Sequence, residues 1–194
     1  VAAVSVGATP AHARARLLEL LHARAFAKKR VVLASGKESD FFIDCKQAVL
    51  SAEGHFLVGA LFYDVLRAWP SCEAVAGVEL GGCSLASAVS LTSVARGHAI
   101  DAIYVRKDAK DHGSKRLIEG DTHLRPGAQV ILVEDVTTTG GSAIKAAEKL
   151  KQAGYNVLAV VSLVDRLEGG REAIEREGFH FVALYTREDF LPAT

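Results

Sequence analysis

The sequence predicts an α/β domain, a parallel-sheet core flanked by helices with a small N-terminal hood or flap, and three observations carry that prediction. From residue 52 onward, apolar runs of strand length alternate with helical periods. The runs are almost wholly apolar, as in "NVLAVVSLV" at 156–164, which is the pattern of strands buried on both faces. At 194 residues, 49% hydrophobic and 24% charged, the chain is long enough for one compact domain to bury a sizeable core. A single domain over 1–194 is therefore expected, with an N-terminal helix and hood at about 10–50 and a core at about 52–190.

Residues 11–29 place Leu17, Leu18, Leu21 and Ala25 at helical spacing among arginines and lysines, so an amphipathic helix is expected after a loose tail. Two strand-like runs, 31–34 and 41–45, are split by a Ser-Gly-Lys turn and read as a hairpin flap. The core then reads as helix 53–67, strand 74–78, helix 83–96, strand 101–105, strand 129–133, helix 141–153, strand 156–164, helix 169–177 and strand 179–184. Residues 106–127 are charged and lack an apolar period. A loop of that length in a compact domain is more often functional than idle.

The 23 basic and 23 acidic residues cancel, which removes any global attraction to nucleic acid or to an anionic membrane. No apolar run approaches the roughly 20 residues that span a bilayer, and the N-terminus lacks a charged-then-apolar signal pattern, so a cytoplasmic location is the expectation. Cys45, Cys72 and Cys83 are odd in number and widely spaced, which suits reduced thiols rather than disulfides or a zinc site. No dedicated metal cage is expected.

In parallel sheets of this kind ligands collect beyond the carboxyl ends of the strands. There the stretch "VILVEDVTTTGGSA", 130–143, runs from a buried strand into two carboxylates and then a hydroxyl- and glycine-rich turn. Such a turn aims several backbone N–H groups at one point, at the positive end of a helix dipole, which makes an anion cradle. Glu134 and Asp135 would repel a bare phosphate, but carboxylates accept well from vicinal hydroxyls, so a sugar phosphate accounts for both halves. On the residues alone a capped helix start, with Thr and Gly chosen for turn geometry, is an equal alternative. Neither a Walker nor a Rossmann glycine fingerprint is present.

With "YVRKDAKDHGSKRLIEG" at 104–120, this stretch resembles the type I phosphoribosyltransferases, and the charged loop resembles that of their orotate-specific members. The resemblance runs from about 31 to 190. It implies the type I phosphoribosyltransferase fold and transfer of a 5-phosphoribosyl group from phosphoribosyl pyrophosphate to N1 of orotate, with Mg2+ arriving on the pyrophosphate. It also implies a homodimer in which the catalytic loop is shared between subunits. Lys110, Arg106, His112 and Asp135 are the implied catalytic residues, with Lys107 a further pyrophosphate contact. Glu134 and Asp135 are expected on the ribose. Val136, Thr137, Thr138, Thr139, Gly140, Gly141 and Ser142 are expected around the 5-phosphate. Gly81 and Gly82 of "GVELGG" would present backbone N–H groups to pyrophosphate, while Phe41 and Phe42 of "SDFFIDCK" would wall the base and Arg166 of "LVDRLEGG" would hydrogen-bond it. Relatives carry lysines where this chain has Ala34 and Gly81, and Lys37 stands close enough to the first to substitute. A phosphoribosyltransferase for a purine or uracil, and a non-catalytic regulator that senses phosphoribosyl pyrophosphate, are the competing readings.

Overall fold

The computed structural model describes residues 9–32, 38–108 and 116–191, and in 29–32 and 38–40 the backbone alone. Helix α1, Pro10–Arg24, is capped by Thr9, whose hydroxyl accepts the His12 N–H at 3.4 Å. It stops five residues short of the sequence expectation of 29. The reason is tertiary: Phe26 opens strand β1 (Phe26–Val32), pairs with Ile43 of β2 (Glu38–Ile43), and packs its ring on Phe41 and Phe190 at 5.3 and 5.6 Å. Strand pairing and aromatic contact there outweigh the helical spacing.

A short α2 (Lys46–Val49) leads to α3 (Ala52–Leu66), capped by Ser51 through the Gly54 N–H at 3.2 Å. The core follows as β3 (Ala74–Val78), α4 (Gly81–Ala95), β4 (Asp101–Val105), β5 (Ile118–Glu119), β6 (Gln129–Thr137), α5 (Gly141–Gln152), β7 (Asn156–Asp165), α6 (Gly170–Arg176), β8 (His180–Thr186) and α7 (Arg187–Phe190). Strand β5, inside the stretch read as irregular, adds antiparallel to the edge of β4.

The six-stranded sheet runs β5-β4-β3-β6-β7-β8, and all pairs except β4·β5 are parallel. The chain leaves β3 for β4 on one side and leaves β6 for β7 on the other, so connections diverge between β3 and β6. That divergence opens a crevice at the carboxyl ends of the two central strands. Helices α3 and α4 cover one face, where Leu57, Phe62 and Leu85 meet Ile131, Val133 and Val161. Helices α5 and α6 cover the other, where Ala147, Leu150 and Ile174 meet Val130, Leu132 and Val160. Alternate residues of β6 thus serve opposite cores, each fully buried Val or Leu contributing roughly 1.5–3 kcal/mol.

The hood is tied down from below. Arg16 of α1 grips Glu53 of α3 with two hydrogen bonds, 2.7 and 3.1 Å, and the Tyr185 hydroxyl donates to the Arg14 carbonyl at 2.7 Å.

Candidate active site

Strand β6 outruns β3. Their pairing ends at Gly77↔Val133, while pairing with β7 continues to Thr137↔Asp165. Glu134 and Asp135 therefore lie within an extended strand rather than just past its end, and their side chains point to opposite faces. Glu134 continues the Val130–Leu132 row and is 6% exposed, with Oε2 unpartnered. Burial, then the Asp135 charge, pushes its carboxyl well above the usual value, while the Lys107 ammonium pulls the other way. Asp135 continues the Ile131–Val133 row, and its Oδ1 accepts the Val136 N–H at 3.0 Å.

The Asp135 carboxylate rests on the first turn of α4. A Cβ at Gly81 would overlap it, and a Cβ at Gly82 would run into the Val133 carbonyl. The paired glycines are thus a packing requirement of the adjacent strand, and a side chain at 81 is incompatible with this Asp135 position. No side chain caps α4, and its first turn carries no acid.

Across the crevice, the threonines of the second turn divide. The Thr137 hydroxyl donates to Ser162 Oγ at 2.9 Å inside the sheet, and Thr137 is 2% exposed. Thr138 is partly exposed, and Thr139, Gly141 and Ser142 are exposed. Gly140 adopts φ 79° against the Gly170 backbone, a conformation and a space that both exclude a side chain. Helix α5 begins there with no side-chain cap and no acid in its first turn. Two helix N-termini, with the N–H groups that helices leave unpaired, thus flank the strand that carries the carboxylates.

Arg106 and Lys107 follow β4 at the same edge. The Arg106 guanidinium stands 3.7 Å from Glu119 and donates to the Asp108 carbonyl at 3.3 Å. With Ser142, Lys145 and Lys149 of α5 these residues border a cleft of about 430 Å3. Lys110 and His112 lie outside the described residues, as do Ala34 and Lys37.

The hood supplies the roof. Arg166, 7% exposed, donates from Nη2 to the Phe41 carbonyl at 2.9 Å and from Nε to Glu168 at 3.0 Å, so the β7 end and the hood strand are joined. The Phe41 ring is fully buried among Phe26 and Phe190, and Phe42, one residue along β2, is partly exposed. Cys45 Sγ lies 3.8 Å from the Asp135 carbonyl. Burial raises all three thiols, Cys72 to about 12 and Cys83 to about 11, which keeps them protonated at neutral pH.

The strand ends therefore bring together Gly81, Gly82, Arg106, Lys107, Glu134 to Ser142 and Arg166. Two participants were missed by sequence reading. Glu79 lies in the turn before α4, and its Oε2 accepts the Lys107 N–H at 2.9 Å. Lys149 donates to the Arg106 and Lys107 carbonyls at 2.8 and 2.6 Å. The available signal was the i, i+4 pair Lys145–Lys149, which puts two cations on one face of α5.

Comparison with known proteins identifies the family. The phosphoribosyl transferase domain profile matches residues 51–182. An orotate phosphoribosyltransferase of Sorangium cellulosum (strain So ce56) is 63% identical over 187 residues, covering 96% of this chain and 97% of that protein. The crystal structure of Mycobacterium tuberculosis H37Rv orotate phosphoribosyltransferase in complex with Fe(III) dicitrate superposes with a TM-score of 0.78 at 37% identity, over 92% of this chain and 99% of that one. The same enzyme in complex with 5-phospho-alpha-D-ribosyl 1-diphosphate gives 0.75 at 33% identity, over 92% and 98%. The chain belongs to the phosphoribosyltransferase family, among its orotate phosphoribosyltransferases.

Proposed function

We propose that the chain transfers the 5-phosphoribosyl group of phosphoribosyl pyrophosphate to N1 of orotate, giving orotidine 5'-monophosphate and pyrophosphate, at the crevice between β3 and β6. The observation that carries this reading is the placement of one carboxylate-bearing strand edge between two uncapped helix N-termini. A ligand with a ribose in the middle and a phosphate at each end matches that order of groups. Thr138, Thr139, Gly140, Gly141 and Ser142 take the 5-phosphate. Thr137 supports them from inside the sheet, its hydroxyl being committed to Ser162. Glu134 and Asp135 take the ribose hydroxyls, Glu134 holding its proton more tightly than an ordinary carboxylate.

The bond from the ribose carbon to pyrophosphate breaks as the bond to orotate N1 forms, the N1 proton leaving to solvent or to the released pyrophosphate, and positive charge develops on the sugar. Catalysis then rests on position and electrostatics. Lys107 and Arg106 face the growing pyrophosphate charge, with the backbone at Gly81 and Gly82. Lys110 and His112 are assigned to the same task by resemblance alone. Arg166, Phe42 and the Phe41 carbonyl form the base pocket, a guanidinium being matched to planar carbonyl and carboxylate groups.

Magnesium is read as entering with the substrate and neutralising its pyrophosphate. Glu134 and Asp135 offer oxygen donors of the kind it takes, one of them the unpartnered Glu134 Oε2. Either carboxyl group would offer such a donor to the ion, which would supply charge neutralisation for the departing pyrophosphate. A homodimer fits the apolar side chains of Leu80 just before α4, of Leu91 and Val94 on α4 and of Phe56 on α3, all exposed in the single chain. A cytoplasmic setting fits the three free cysteines, and no helix among the described residues is long and apolar enough to cross a membrane.

Mixing the protein with Mg2+, phosphoribosyl pyrophosphate and each base in turn tests the assignment. Orotate absorbance is expected to fall, with hypoxanthine and uracil unchanged. Consumption of either of those without loss of orotate would overturn the base assignment.

A further inference from the structure

The backbone that follows β4 is gripped from two sides just where the cationic side chains begin. The Glu79 N–H donates to the Val105 carbonyl at 2.9 Å, and the Arg106 N–H donates to the Leu117 carbonyl at 2.9 Å. One peptide further, the Lys107 N–H donates to the Glu79 carboxylate at 2.9 Å. The carbonyls of Arg106 and Lys107 accept from the Lys149 ammonium at 2.8 and 2.6 Å. Three consecutive peptide units, beginning at the carbonyl of the last β4 residue, thus have polar groups held by Glu79 of the β3–α4 turn, by Lys149 of α5 and by the Leu117 carbonyl. Helix α5 starts at the phosphate turn, and Glu79 stands two residues before the glycine pair. Glu79 therefore belongs to one of the two proposed anion-binding turns, and Lys149 to the helix that the other turn begins.

We propose that Lys149, acting with Glu79, is a positioning residue that sets the Arg106–Lys107 backbone so that both cations face the pyrophosphate. The chemistry suits the task. A lysine ammonium has three donors and no acceptor, so one side chain bonds two successive carbonyls without competing for their N–H groups. Lys149 is half-buried and spends two donors on backbone, while Lys145, one turn earlier on the same face, is exposed. Placement matters steeply in such a site, where about 1 Å of displacement costs on the order of a hundredfold in rate.

The inference rests on the reading of Arg106 and Lys107 as pyrophosphate contacts, so its test includes Lys107→Ala. Steady-state kinetics of the full chain with Mg2+, phosphoribosyl pyrophosphate and orotate would be run on Lys149→Met, Lys149→Arg, Glu79→Ala and the Lys149→Met/Glu79→Ala pair. Lys149→Met is expected to lower kcat/KM for phosphoribosyl pyrophosphate about tenfold and to weaken pyrophosphate product inhibition in parallel, leaving the KM for orotate unchanged. Lys149→Arg, which keeps two donors, should recover part of the loss. The double variant should lose much less than the product of the two single losses, because both residues hold the same peptides.

If Lys149→Met matches the parent while Lys107→Ala does not, the positioning role is wrong and the site reading stands. If Lys107→Ala also leaves these parameters unchanged, both are wrong. Equal loss towards both substrates, or losses that multiply, would assign Lys149 a general structural role or a direct ligand contact instead, and would overturn the proposal. Should Lys149→Met not fold, Lys149→Arg and Glu79→Ala carry the same comparison.

Discussion

Glu134 is the residue whose chemistry departs furthest from its ordinary form. It is buried, has an unpartnered oxygen, and lies beside Asp135, so the folded chain holds this proton more tightly than the unfolded chain does. The folded value lies above the ordinary 4.5, so below about pH 4.5 both folded and unfolded states hold the proton and folding costs nothing extra. As pH rises from there toward the folded value, the unfolded chain loses its proton first and stability falls. Glu134→Gln removes that slope. Thermal unfolding should show the variant melting higher than the parent at pH 8 and at the same temperature near pH 4, with turnover reduced because one of the two oxygens available to the ribose hydroxyls is replaced by a donor NH2. A variant less stable than the parent at pH 8 contradicts this account of Glu134. The pair "ED" was visible in the sequence, but its division between two faces was not. That division follows from β6 continuing past β3, a matter of sheet register.

Among elements, the five parallel strands and the helices between them were legible, because strands buried on both faces and amphipathic helices leave different periods in a chain. The end of α1 was not. Phe26 acquires its role from Ile43, Phe41 and Phe190, residues distant in sequence, so local spacing pointed to a helix. Strand β5 was hidden for a similar reason, being two residues that pair with the distant edge of β4 and bury Ile118 in the core beside it. The candidate site was legible in its turns and cations, since glycine, threonine and charge runs report local chemistry. Glu79 and Lys149 were hidden, because their partners are backbone atoms and backbone leaves no mark in the sequence. Helix α4 carries the element-scale prediction. Leu91 and Val94 point outward at 72% and 64% exposure, and the proposed dimer covers them. Sedimentation velocity should give a dimer for the parent chain and a monomer for Leu91→Glu/Val94→Glu. A parent that sediments as a monomer contradicts the pairing.

At the scale of the molecule, neutrality and local charge are complementary. The formal net charge is zero, and in the proposed function the handling of a polyanion falls to cations and helix N-termini gathered at the carboxyl end of the central strands. The fold creates that crevice by reversing its connections between β3 and β6, and the hood is joined to its rim through Arg166 and the Phe41 carbonyl. The central claim is that this crevice divides one ligand, Glu134 and Asp135 taking the ribose and the Thr/Gly turn taking the 5-phosphate. Calorimetric titration of orotidine 5'-monophosphate and of orotidine, into the parent and into Thr138→Val/Thr139→Val, tests it most directly. The account predicts that the parent binds the phosphorylated nucleoside much more tightly, and that the variant loses at least about tenfold in affinity for it, roughly the value of one or two charge-assisted hydrogen bonds, while binding orotidine as before. Equal losses for both ligands, or none for either, would contradict it.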